Sequence, residues 1–257
     1  MIAGADEAMK RVCLQTDIPF FGPPLLPGDV HIWWTSLDQS GSRLEKHEQI
    51  LATDERARAK RFRFERDRNR FVRRRGVLRE ILGCYLGIEP NAVRLTYGEH
   101  GKPKLVEEMV SRNIEFSLSH SEGMALYGFS HDHQIGVDIE YIREVPEIDQ
   151  IAGQFFSEGE REVLRSLKAR EKTGAFYKCW TRKEALTKAT GVGMSHPLDR
   201  LDVWVDPDEP RELSGAAGDS GKAGRWFVQD LNIGHGFAAA FALEGRRCRV
   251  HRYRCAQ

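Results

Sequence analysis

The order in which apolar periodicities follow one another along this chain is what most restricts its fold. A strand candidate at Asp29 to Leu37 gives way to helical text from Ser42 to Leu86. There Phe71, Leu78, Ile81, Leu82, Tyr85 and Leu86 recur on one face, arginines fill the other, and Gly87 stops the last helix. Short β-like runs follow at Val93–Tyr97, Ile114–Leu118, Ala125–Ser130 and Ile135–Tyr141. Helices return after Pro146. Ser157 and Glu160 have capping-box spacing, and Gly174–Lys188 is amphipathic and closed by Gly191 and Gly193. The end is β again, at Leu201–Val205, Arg225–Ile233, Gly236–Leu243 and Arg249–Tyr253. Asp206–Gly224, rich in Pro, Gly, Ser and Asp, reads as a mobile surface loop, and residues 1–28 as an irregular arm. Strand, helices, strands thus occurs twice, dividing near residues 130–134. The expectation is an α+β chain of two similar halves, 1–130 and 131–257, which requires no parallel sheet.

Composition narrows the classes of function. The 39 basic and 38 acidic residues of the 257 leave a net charge of +1, so attraction to a charged partner must come from local patches. The strongest imbalance lies at residues 54–80, with twelve Lys/Arg against five Asp/Glu. Five cysteines with no C-x-x-C pair argue against a disulfide framework and a thiolate zinc site, and point to a reducing cytoplasm. No signal-peptide pattern and no apolar run near 20 residues is present, so neither secretion nor a membrane partner is expected.

Two segments carry chemistry. In Gly136-Val137-Asp138-Ile139-Glu140, strand alternation puts Asp138 and Glu140 on one face. In the helical run Trp180 to Lys188 (WTRKEALTK), Glu184 and Lys188 are four apart and share a face. Alone, each is as readily a solvated edge or a surface ion pair. If strand and helix pack together, three carboxylates and a lysine converge, a donor set suited to Mg²⁺ with substrate phosphates.

The pair G-V-D-I-E and W-x-x-K-E-A-x-x-K resembles the two signatures of the Sfp-type 4′-phosphopantetheinyl transferases. Arg58-Ala59-Lys60-Arg61-Phe62, Gly101-Lys102-Pro103 and Phe116-Ser117-Leu118-Ser119-His120-Ser121 look like the family's other landmarks, in the same order. The resemblance covers roughly residues 50–200. It implies two α+β halves in a pseudo-twofold arrangement, with coenzyme A in the cleft between them. It also implies a monomer that carries the phosphopantetheine arm of coenzyme A onto a serine of an apo acyl or peptidyl carrier protein. By that likeness Asp138, Glu140 and Glu184 would hold Mg²⁺ and Lys188 would sit on the pyrophosphate. Arg58, Lys102, Ser119 and His120 would hold the adenosine and its 3′-phosphate. Glu184, Lys188 and Asp138 would carry the catalysis. The serine proton goes either to Glu184 or to a metal-bound hydroxide, and the residues do not choose between them.

Two other classes compete. Ser119-His120-Ser121 suggests a hydrolase relay, but neighbours on a strand face opposite ways, which excludes it. The basic stretch 54–80 suggests a nucleic-acid helix. Its apolar stripe must bury, however, and it lacks interleaved exposed aromatics for base stacking, so no nucleic-acid partner is expected.

Overall fold

The strand Asp29–Ser36 (β2) is buried on both sides because its side chains alternate between two cores. Trp33 joins Leu78, Ile81, Leu82, Tyr127 and Phe129 in one, while Val30, Ile32 and Trp34 join Val137, Ile139 and Phe241 in another. In the computed structural model, which describes residues 10–12, 24–38, 42–98, 101–191, 198–200, 202–203, 211–217, 223–245 and 248–255, this alternation generates four layers. A long helix covers one sheet, that sheet packs on a second, and another long helix covers the second.

The same topology occurs twice. In the first half β2 is followed by three helices, α1 (Ser42–Ile50), α2 (Thr53–Ala59) and α3 (Glu65–Leu86). A small hairpin of β3 (Leu95–Tyr97) and β4 (Pro103–Leu105) leads to β5 (Ile114–Ser121) and β6 (Met124–His131). In the second half β7 (Ile135–Tyr141) is followed by α4 (Ile148–Phe155), α5 (Glu158–Ser166) and α6 (Ala169–Thr190). Strands β8 (Arg211–Ala217), β9 (Ala223–Asp230) and β10 (Phe237–Glu244) complete it. The orders β2-β6-β5 and β7-β10-β9 are the same arrangement, all antiparallel. Both long helices run 22 residues and end on a left-handed glycine, Gly87 (φ 66°) and Gly191 (φ 75°). The α+β fold of two similar halves read from the sequence is the fold observed.

Five local expectations are corrected. The last strand, β11 (Arg249–Cys255), crosses back to the first sheet and lies parallel to β2, and β1 (Lys10–Val12) lies parallel to β11, giving the order β1-β11-β2-β6-β5. A parallel sheet segment is therefore present, and part of the N-terminal arm is strand. Residues 211–217, inside the expected loop, pair with β9 as an edge strand. The register shifts between Ser214 and Ala216, so Gly215 absorbs the irregularity that made the composition read as loop. The strand expected at 201–205 is absent at 202–203, and its other residues lie outside those described. Finally, arginine does not fill an outer face of α3: Arg73, Arg75 and Arg79 are buried. Arg79 is held by Glu55 at 2.6 Å and by the Val93 carbonyl at 2.8 Å. Among the described residues no helix is long and apolar enough to cross a membrane.

Candidate active site

The two sheets meet edge to edge where β5 faces β7. An edge strand presents unpaired polar groups that burial would leave unsatisfied. Here serines do the satisfying. Ser117, Ser119 and Ser121 alternate along β5 and so point the same way. Ser117 Oγ accepts from the Val137 N–H at 3.1 Å. Ser119 Oγ donates to Asp138 Oδ1 at 2.8 Å. Ser121 Oγ donates to Glu140 Oε2 at 2.7 Å and accepts from the Tyr141 N–H at 3.0 Å. A hydroxyl ladder thus stands where a backbone ladder would, and two of its rungs orient carboxylates.

Helix α6 supplies the remaining groups, and Gly136 lets it approach. A Cβ at that position would lie 1.9 Å from the Ala185 carbonyl oxygen and 2.5 Å from the Ala189 nitrogen. With the helix pressed onto β7, Lys188 Nζ reaches Asp138 Oδ1 at 2.6 Å and Ser119 Oγ at 2.9 Å. Glu184, one turn earlier, turns its carboxylate to the same site. Two other charged residues of the motif are held in internal ion pairs. Lys183 is fully buried against Glu160 at 2.7 Å, and Arg182 forks onto Asp230 at 2.6 and 2.7 Å. Glu160 is the carboxylate whose Oε2 also closes the capping box with Ser157, as the spacing predicts.

Charge at this site is unbalanced. Three carboxylates surround one ammonium, and the buried oxygens Asp138 Oδ2 and Glu184 Oε1 have no hydrogen-bond partner. Burial, with a further push from neighbouring carboxylates, holds Glu140 and Glu184 above the ordinary carboxylate range, against the pull of Ser121 on the first and Lys188 on the second. The carboxylate oxygens do not all lie within 4.8 Å of one another, so a cation would draw them in rather than enter a preformed cage. Residual negative charge and orphaned oxygens nevertheless fit a hard divalent cation.

On the opposite side of β5, His120 is exposed and feels cations from three helices, α2, α3 and α6. Partial desolvation, then the charges of Arg74, Lys188, Arg58 and Arg70, push its pKa down to about 4. Because the residue is open to solvent, the four cations are the sounder cause. Arg58, Arg74 and Arg75 all lie on the Phe71 ring, at 5.5, 5.6 and 5.8 Å from its centroid, which gathers three guanidiniums around one side chain. A surface of this kind suits a polyanion. Lys102 is engaged differently. Its ammonium donates to the Ile135 carbonyl at 3.1 Å and the Lys188 carbonyl at 2.8 Å, strapping the first half to β7 and to the end of α6. Burial pushes its pKa down to about 8.

The structure therefore brings Ser119, Asp138, Glu140, Glu184 and Lys188 together, sets Arg58 and His120 on the other side of β5, and gives Lys102 to the seam. Sequence reasoning missed Ser117, Ser121, Arg70 and Arg74. The period-two run Ser117, Ser119, Ser121 was the available signal for the first two. A cavity of about 560 Å³ lined by Gln49, Asp54, Arg56, Asn91 and Tyr97 lies in the first half and includes none of these groups.

Residues 134–242 match the 4′-phosphopantetheinyl transferase superfamily, and residues 34–127 match its N-terminal domain, described as 4′-phosphopantetheinyl transferase, N-terminal. The 4′-phosphopantetheinyl transferase HetI of Nostoc sp. is 39% identical over 86% of this chain and 90% of its own length. The 4′-phosphopantetheinyl transferase Sfp of Bacillus subtilis is 27% identical over 64% of this chain and 70% of its own. The solved holo-[acyl-carrier-protein] synthase of Thermotoga maritima is 19% identical over 44% of this chain and 64% of its own, with a TM-score of 0.30, too slight a likeness to bear on the site.

Proposed function

The chain belongs to the 4′-phosphopantetheinyl transferase superfamily, and from that premise we propose that it transfers the 4′-phosphopantetheine arm of coenzyme A to a serine of an apo carrier protein in the cytoplasm, acting as a monomer with Mg²⁺. The observation that carries this reading is the pairing of an underbalanced carboxylate site with a cationic surface across the same strand. Coenzyme A has a pyrophosphate for the first and a 3′-phosphate for the second.

Asp138, Glu140 and Glu184 would hold the cation, with Ser119 and Ser121 fixing the first two. Bound there, Mg²⁺ would offset the charge of the pyrophosphate and of the departing phosphate. Lys188, now paired with Asp138 at 2.6 Å, would lie on the same phosphates once Asp138 serves as a metal ligand. The carrier serine oxygen bonds to the β-phosphorus as the bond to the α-phosphate oxygen breaks, releasing adenosine 3′,5′-bisphosphate. Most of the work is positioning and charge neutralisation. Glu184, whose carboxylate shares the site with Asp138, Glu140 and Lys188, would accept the serine proton directly or through a water. Arg58, Arg74 and His120 receive the 3′-phosphate, whose charge raises the pKa of His120 and so favours a charge-assisted bond. Lys102 keeps the two halves in register, with at most one N–H left for the nucleotide.

His120→Ala and Arg74→Ala are each expected to weaken coenzyme A binding about tenfold while leaving 3′-dephospho-coenzyme A nearly unaffected, as loss of a charged hydrogen bond implies. Calorimetric titration of both nucleotides into the wild type and the two variants checks it. Equal affinity of the wild type for the two forms refutes the assignment of this face. A control titration with labelled DNA separates the alternative for the basic stretch 54–80. Three of its twelve cations are buried, so only weak, salt-sensitive binding is expected.

A further inference from the structure

β2 and β11 lie in parallel register, with Asp29 opposite Arg249, His31 opposite His251 and Trp33 opposite Tyr253. Alternation therefore sets Asp29, His31 and Trp33 on one face of β2, beside their partners on β11. The inner end of that face is aromatic: Trp33 stacks on Tyr253 at 4.5 Å between ring centroids. Tyr85 of α3 caps it, its hydroxyl accepting from Trp33 Nε1 at 2.9 Å and lying 2.7 Å from His31 Nδ1. The outer end is a cluster of ligating groups. One donor atom each of Asp29, His31 and His251 lie within 4.8 Å of one another. Asp29 and His31 are 5% and 1% exposed, and the His251 side chain, 37% exposed, forms the solvent rim. His251 Nε2 is itself buried without a hydrogen-bond partner, 3.5 Å from Asp29 Oδ1, too far for a good bond.

We propose that Asp29, His31 and His251 bind one zinc-class divalent cation, at a site separate from the three carboxylates and tying the last strand to β2. Two imidazoles and one carboxylate with an open, solvent-facing position are a donor set for Zn²⁺ and its transition-metal neighbours, not for Mg²⁺. Tetrahedral zinc needs donors roughly 3.3 Å apart, so binding draws together side chains whose donor atoms already lie within 4.8 Å of one another. The Tyr85 hydroxyl holds the His31 ring through Nδ1, leaving Nε2 to be offered, which is the outer-shell support such ligands use. Arg249 donates to Asp29 Oδ1 at 2.7 Å and, weakly, to the Pro27 carbonyl at 3.5 Å, from a side chain that is 67% exposed and so competes with a metal from the solvent side.

The test is titration of ZnCl₂ alone into chelator-stripped, full-length protein in the presence of excess Mg²⁺, read by calorimetry and by the melting temperature. One equivalent is expected to bind the wild type and raise its melting temperature. Affinity should fall at least about tenfold in His251→Gln and in Asp29→Asn, rise in Arg249→Ala, where the competing cation is gone, and stay unchanged in Asp138→Ala. Should one variant fail to fold, the other two at this site still decide the matter. Wild-type affinity in His251→Gln, loss of binding in Asp138→Ala instead, or no binding by the wild type each overturns the proposal.

Discussion

Glu184→Gln is expected to cut transfer by about 10²–10³-fold while leaving the cation-free protein as stable as the wild type or more so. The activity loss follows from removing one of three anionic oxygens available to a cation, together with the group placed to take the serine proton. The stability effect follows from the sign of the pKa shift. Glu184 is raised in the folded state, so above the ordinary carboxylate value its ionised form costs folding free energy. The isosteric amide removes that cost, and its N–H groups arrive where Asp138 and Glu184 now leave buried oxygens without partners. Melting curves at neutral pH without divalent cations, alongside initial rates with Mg²⁺, check both halves. Near wild-type turnover in Glu184→Gln refutes the role of this residue, and a large loss of stability refutes the picture of an electrostatically strained site.

Gly136→Ala is expected to be the most disruptive Gly→Ala substitution among the described glycines. The atoms an added Cβ would meet, the Ala185 oxygen at 1.9 Å and the Ala189 nitrogen at 2.5 Å, are both backbone. Neither can rotate away, so α6 must lift off β7. Overpacking of that kind destabilises by about 3 kcal/mol or more, which for a chain of this size lowers the melting temperature by about 6–12 °C. Lifting α6 also withdraws Lys188 from Asp138, so transfer falls with stability. Gly174→Ala, on the same helix with nothing within 4 Å of an added Cβ, is the control and should be neutral or slightly stabilising. Equal melting temperatures for Gly136→Ala and the wild type would contradict the contact.

Why these two positions differ in legibility is instructive. Sidedness could be read from the chain, because a period of two places Asp138 with Glu140 and a period of 3.6 places Glu184 with Lys188 whatever the tertiary structure. The glycine of the same motif could not be interpreted, since what forbids a side chain there is the backbone of a helix almost fifty residues on. Arg79 was read as surface for a related reason: its partner Glu55 sits on another helix, 24 positions away. β5 and β6 are neighbours in sequence and pair antiparallel, whereas β11 pairs with β2 across 220 positions and no local pattern announces its direction. Ser117 and Ser121 fell between these cases. Their alternation was visible, but only the meeting of two sheet edges turns it into a ladder.

The central claim is that the seam between β5, β7 and α6 is a phosphopantetheinyl transfer site, and intact mass spectrometry of carrier proteins tests it most directly. Apo carrier domains incubated with the protein, coenzyme A and Mg²⁺ should gain the mass of one phosphopantetheine arm each. Release of adenosine 3′,5′-bisphosphate should match it mole for mole. The gain should vanish with excess EDTA, and with a carrier whose attachment serine is replaced by alanine. A mass gain that persists undiminished in Asp138→Ala, or no gain on any carrier by a protein that binds coenzyme A tightly, would contradict the account.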